Sequence, residues 1–209
     1  MVATRKNLFT AVVALLVMAS PALAGPPLIC HPFVTEGGKL IAWGDGPGWN
    51  TPDHSYDVTK LVADTAGALT PDTPVLTRME NLRRATIYAM RDPVVAEQLL
   101  KTLMSRALST TNDAGAWFDA GYLIEAYRQG THLRGERKSK ASWAAVDETI
   151  RVDGYGFVKK AIAIRGPNVE MELAASLMTS GAIADAHRAR AKAAGAGSLV
   201  AKNLARLAY

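Results

Sequence analysis

Six side chains early in the chain have chemistry beyond packing: Cys30, His31, Asp45, Asp53, His54 and Asp57. Zinc and transition metals favour imidazole and thiolate, with carboxylates as further ligands. Cys30, His31 and His54 are therefore the candidate metal ligands. The set lacks a second cysteine two residues away and any His-Glu-x-x-His run, the spacings that mark zinc sites. The competing reading is turn chemistry, in which Asp and His side chains bond nearby backbone. Cys30 is also a candidate nucleophile, which requires a thiolate with a base or positive charge in reach. His31 is its neighbour, and adjacent residues of an extended chain point to opposite sides. His54 can approach only through folding. A single cysteine forms no disulfide within the chain, and burial as a small hydrophobe is the favoured role for Cys30.

A second constellation is Asp119, Tyr122 and Glu125, whose three-residue spacing puts them on one face of a helix. Two carboxyl groups at the right separation hydrolyse glycosidic bonds, so Asp119 and Glu125 are the candidate catalytic residues. The competing role is ion pairing with Arg83, Arg84 or Arg128. Gly44-Asp45-Gly46-Pro47-Gly48 has no Lys-Ser/Thr ending, so it reads as a turn and not a phosphate loop. Arg134, Arg137, Lys138 and Lys140, with Arg188, Arg190 and Lys192 further on, are diluted by Glu136 and Asp185. They read as solvated surface, with a weak contact to an anionic partner as the alternative. No cofactor-binding motif is present, and no cofactor is predicted.

These residues must be positioned by two kinds of chain. Residues 25–56 carry five prolines and six of the glycines, which forbid a long helix. Leu28, Ile29, Phe33, Trp43 and Trp49 make the stretch too apolar for a disordered linker. It reads as an ordered arm across a helical body, with Ile29, Phe33 and Trp43 as buried anchors. Residues 57–209 read as that body. Asp57 caps a short helix, and Thr73-Pro74 and Asp92-Pro93 each supply a capping side chain followed by proline. With Arg91 alone between them, the two helices that follow those signals form a tight antiparallel hairpin. A helix over about 113–129 is apolar on nearly every side and therefore central. Further helices start near Ser142 and span 154–165, then follow Asn168, Gly181 and Ser198. The Arg83-Arg84 pair ahead of Asp92-Pro93 is faintly echoed by Lys159-Lys160 ahead of Pro167-Asn168, the pattern of stacked hairpins. The fold class is all-α: antiparallel helical hairpins, solenoid-like or a compact bundle, behind an irregular arm.

Residues 1–24 read as a cleavable export signal. Arg5 and Lys6 are followed by the apolar run Leu8–Met18, Pro21, and Ala22-Leu23-Ala24 before a cut at Gly25. The run is shorter than the roughly 20 apolar residues a membrane span requires. Ile29 before Cys30 argues against lipidation. The remainder of the 209-residue chain fits one domain. Its mildly basic balance does not point to nucleic acid, though weak attraction to anionic lipid or wall polymer is compatible with it.

The runs Leu28-Ile29-Cys30-His31-Pro32-Phe33, Ser55-Tyr56-Asp57-Val58, Met79 to Ala89 and Trp117 to Glu125 resemble an uncharacterised group of exported bacterial proteins. The resemblance spans most of the chain beyond the signal and brings no assigned activity. The helices are similar in style to tetratricopeptide-like folds, which implies binding of other proteins. The sequence thus predicts a periplasmic or secreted, non-catalytic helical protein that binds a protein or a cell-envelope component. Its alternative is an envelope hydrolase or metal-dependent enzyme built from the arm and the helix over 113–129.

Overall fold

The computed structural model describes residues 27–134 and 139–207. The expected signal over 1–24, its cleavage point at Gly25, and Arg137 and Lys138 of the basic loop lie outside the described residues. The described chain is all-α and contains no strand. After the arm, a single 3-10 turn at Val58–Lys60 leads into α1 (Leu61–Ala68), α2 (Val75–Ala89), α3 (Pro93–Ser109) and α4 (Ala114–Gly130). The second half contains α5 (Ala144–Thr149), α6 (Gly154–Arg165), α7 (Val169–Met178), α8 (Gly181–Ala191) and α9 (Leu199–Arg206).

Most helix starts are where their caps put them. The side chains of Asp57, Asp92, Asp113, Asp153, Asn168 and Ser198 each accept a backbone N–H of the turn they open. The start of α2 differs from expectation. Pro74 itself is the capping position, and the Thr73 hydroxyl is spent on the preceding turn, donating to Ala68 O at 2.9 Å. The first-turn N–H of Leu76, which has no partner within the helix, is instead satisfied by Glu170 of α7, at 3.2 Å.

α4 is the axis of the body. Phe118, Tyr122, Leu123, Ile124 and Tyr127 are all fully buried, as its all-round apolar character demands. It packs most extensively on α6, then on α3 and α2, while α7 packs chiefly on α8. The Arg91 turn is as short as predicted, but α2 and α3 have larger contacts with α4 than with each other. Of the two forms of the all-α expectation, the packing is the compact bundle around α4. The echoed basic pairs also differ. Arg83 is fully buried, whereas Lys159 and Lys160 are exposed, with their ammonium groups over the rings of Tyr155 and Trp117.

The crossing of α4 and α6 is set by two glycines. A Cβ at Gly121 would lie 2.5 Å from the Gly154 carbonyl oxygen, and one at Gly154 would lie 2.7 Å from the Gly121 oxygen. Real Cβ atoms do not approach backbone so closely, so the two helices touch through backbone that only glycine leaves bare.

α2 is buried almost throughout, yet it carries Thr77, Arg78, Glu80, Asn81, Arg83 and Thr86. The arm explains four of these, while Arg78 pairs with Asp119 and Thr86 donates to Leu82 O within its own helix. An extended segment with no sheet partner has backbone N–H and C=O groups that must be satisfied when buried. α2 supplies the partners. Asn81 accepts from Ile41 N and donates to Lys39 O, both at 2.8 Å. Thr77 donates to Gly37 O, Arg84 to Ile41 O and Tyr88 to Ala42 O. Asn203 of α9 grips the N–H and C=O of Val34 at 2.8 and 2.9 Å. Between these bonds the arm buries Leu28, Ile29, Phe33 and Ile41. Of the three predicted anchors, Ile29 and Phe33 are buried, while Trp43 is half-buried against Tyr88 and Arg83.

Candidate functional site

The arm does not gather its metal-capable side chains. Among the described residues no group of three or more His, Cys, Asp or Glu is placed to hold a metal ion. Cys30 is a free thiol, only half-buried where full burial was favoured, because the chain turns there and sends Leu28 and Ile29 inward instead. Burial pushes its pKa up, against a smaller pull downward from Arg83. His31 is half-buried, with its pKa lowered by burial, and its Nε2 has no hydrogen-bond partner. His54 is exposed. Asp53 and Asp57 accept from Ser55 and Thr59, two residues on in each case, which is the turn chemistry weighed above. A half-buried thiol with a raised pKa is mostly protonated at neutral pH. Cys30 should therefore react with an aromatic disulfide reagent at least several-fold more slowly in the folded protein than in urea at pH 7. Equal rates would show the arm to be open around it.

The carboxylates of α4 serve the bundle. Asp119 is fully buried and accepts from Arg78 at 2.6 Å, with Arg106 at 3.9 Å. Its second oxygen has no partner, and burial pushes its pKa up to about 7 against the pull of the arginines. Glu125 accepts from Arg128 at 2.6 and 2.8 Å and from the backbone N–H of Tyr155 at 3.1 Å, so it ties the first turn of α6 to α4. Arg128 also donates to Ile150 O and Val152 O. Tyr122 between them is buried, with its hydroxyl unpartnered. Pairing was anticipated with Arg83, Arg84 or Arg128. Arg128 fills that role, Arg78 and Arg106 take Asp119, and Arg83 and Arg84 belong to Glu80.

The open site lies elsewhere, between α6, α7 and α8. A cleft of about 470 Å³ is lined by Ile162, Ala182, Ile183 and Ala186 on its apolar side, and by Tyr155, Lys159, Glu172, His187 and Arg190 on its polar side. Its volume is within the range of small-molecule pockets, and a few converging polar groups in an apolar wall are what such pockets share. A groove of about 680 Å³ along α3 is lined by Lys101, Met104, Ser105, Leu108, Ser109 and Thr149 and has no such convergence.

The polar groups form one chain. Glu172, at the end of the first turn of α7, is 2.5 Å from His187 Nδ1 and 2.7 Å from Arg190 Nε. Arg190 Nη2, a donor only, is also 2.7 Å from Nδ1, so Glu172 and Arg190 meet at the same ring nitrogen. In the tautomer that carries its proton on Nδ1, toward Glu172, Nε2 is the acceptor for the Tyr155 hydroxyl 2.7 Å away. His187 and Glu172 are buried, Tyr155 is half-buried, and Lys159 is exposed at the rim. Burial raises the Tyr155 pKa, and Glu172 adds to this while Arg190 opposes it, so the phenol keeps its proton until a base accepts it. Exposed Ile183 extends the apolar wall outward.

Sequence reasoning missed this site except for Arg190, read there as solvated surface. Tyr155 and Lys159 are one turn apart on α6, and His187 and Arg190 nearly one turn apart on α8. Each pair alone is ordinary helix surface, and only the α7–α8 packing adds Glu172 to them. Among known proteins the chain matches no family model, no curated sequence and no solved structure.

Proposed function

We propose that the chain is an exported helical protein that binds a cell-envelope component with an anionic group on an apolar body. The cleft between α6, α7 and α8 carries the reading. It sets Lys159 and Arg190 beside an apolar wall of Ile162, Ala182, Ile183 and Ala186. Arg190 is already paired with Glu172. Lys159 forms no ion pair among the described residues, so its charge is available to a ligand. The export signal read in residues 1–24 and the mildly basic balance suit a ligand outside the cytoplasm. Among the described residues no helix is long and apolar enough to cross a membrane. The hydrolase alternative needs Asp119 and Glu125 to reach a substrate, and both are buried in ion pairs.

Dodecylphosphonate, an anionic headgroup on an apolar tail, is the test probe. Titration calorimetry should show saturable one-to-one binding. Lys159→Glu should weaken it about tenfold or more, the size of one charge-assisted hydrogen bond. Ile183→Asp should weaken it comparably through the apolar wall. Binding that ignores both substitutions would overturn the proposal.

A further inference from the structure

We infer that the same cleft is a phosphodiester-cleaving site in which Tyr155 is the nucleophile, His187 the base that takes its proton, and Glu172 the residue that orients His187. The inference rests on the binding reading above and adds turnover to it. Three distances carry it. The phenol is 2.7 Å from Nε2, Nδ1 is 2.5 Å from Glu172, and Arg190 Nε holds the same carboxylate oxygen at 2.7 Å. With His187 in the tautomer that keeps its proton on Nδ1, where Arg190 Nη2 also approaches to 2.7 Å, a hydroxyl, an imidazole within hydrogen-bond reach and a third group orienting that imidazole form the general arrangement of an activated nucleophile. All three side chains line the cleft, Tyr155 half-buried and His187 and Glu172 buried.

The substrate class follows from the walls. Lys159 and Arg190 bring two positive charges against the single negative charge of Glu172, which suits an anion whose charge is spread over non-bridging oxygens. The apolar wall accommodates one esterified arm of a diester.

The step balances without a co-reactant beyond water. Tyr155 Oη forms a bond to phosphorus as its proton passes to His187 Nε2. The bond from phosphorus to one ester oxygen breaks with its electron pair, and the departing oxygen takes the proton from the imidazolium. Water then attacks the phosphotyrosine and gives a proton to Nε2. Tyr155 leaves with the bonding pair and recovers that proton. Diester and water become monoester and alcohol.

Bis(p-nitrophenyl) phosphate, with chelator present, is the test substrate. The native chain should release p-nitrophenolate catalytically, and acid quenching should trap a phosphoryl adduct on Tyr155 by peptide mass analysis. Tyr155→Phe keeps the ring and removes the attacking oxygen. It should lower the rate about 100-fold or more and abolish the adduct, with the thermal midpoint unchanged. Glu172→Gln should lower kcat more than it raises KM and shift the pH profile, since it acts through His187. Release that persists in Tyr155→Phe would overturn the assignment. No release from a protein that still binds dodecylphosphonate would overturn turnover and leave the binding proposal standing. Loss of both would overturn both.

Discussion

Glu80→Ala should destabilise the protein by about 3–5 kcal/mol, the cost of removing one partner from a buried ion pair. The Glu80 carboxylate accepts four hydrogen bonds. Oε2 takes the Phe33 N–H at 3.0 Å and Arg83 Nε at 2.8 Å, and Oε1 takes Arg83 Nη2 at 2.9 Å and Arg84 Nε at 2.7 Å. Arg83 is fully buried and also donates to Ile29 O and Trp49 O. Alanine therefore leaves a buried guanidinium uncompensated and a buried arm N–H unpartnered, and the arm loosens where it meets α2. Urea denaturation measures the loss. The double variant Glu80→Leu/Arg83→Met should cost clearly less than the sum of its single changes, because it removes the stranded charge together with its partner. Additive costs would show that the two side chains act independently.

The same group sets an acid limit. Burial pushes the Glu80 pKa up, but the bonds from Arg83, Arg84 and Phe33 outweigh it, and the carboxyl ends below its ordinary value. A depressed native pKa means that the unfolded chain binds the proton more tightly. The contribution is thus fully present above the ordinary carboxylate value of about 4.3 and is lost as pH falls through the lower native value. Glu80→Gln, which cannot ionise, should flatten the stability curve in that acid window. An unchanged slope would remove Glu80 from the acid response.

Gly121→Ala should cost about 3 kcal/mol, near the upper end for overpacking a core. The added Cβ meets the Gly154 carbonyl at 2.5 Å, Phe157 Cβ at 2.8 Å and Val158 N at 3.0 Å, and backbone atoms have no rotamer by which to withdraw. α4 and α6 must separate, and Glu125 loses its grip on the first turn of α6. Helix propensity alone predicts the opposite sign, since alanine is favoured over glycine by up to about 1 kcal/mol in a helix. Gly67 in α1 is the control, because a Cβ there meets nothing within 4 Å. Gly67→Ala should raise the melting temperature and Gly121→Ala lower it. The same direction at both positions would refute close backbone contact as the role of Gly121. Because Tyr155 is in the turn that Glu125 holds, Gly121→Ala should also weaken binding in the α6–α8 cleft.

The local parts of this protein were legible in its residues. Asp92 followed by Pro93, Asp113 ahead of an apolar stretch, and Asn168 after Gly166-Pro167 state helix starts through contacts two or three residues long. Prolines and glycines forbade regular structure in the arm, and its apolar residues required burial. The centrality of α4 followed from a helix with no polar side. All of these are short-range physics, and short-range physics can be read along a chain.

Pairing between distant segments was not legible. Nothing in the local sequence of α2 marks Thr77, Glu80, Asn81 and Arg83 as buried. They are buried because an arm some forty residues earlier in the chain has backbone groups for them to satisfy, as between Ile41 and Asn81, whereas Arg78 serves Asp119 and Thr86 its own helix. Gly121 reads as a weak point in a helix until Gly154 is placed against it. Asp119 and Glu125 have the spacing of an acid–base pair, and only the packing of Arg78, Arg106 and Arg128 consumes them. The α6–α8 cleft is the strongest case. Tyr155, Glu172 and His187 share no motif, and their hydrogen bonds span 32 and 15 residues. Sequence determined where helices begin, which faces are apolar and that an arm must be covered. The tertiary structure decided which charges neutralise one another and which remain facing an open cleft, because that depends on the positions of helices whose faces carry no local record of their neighbours.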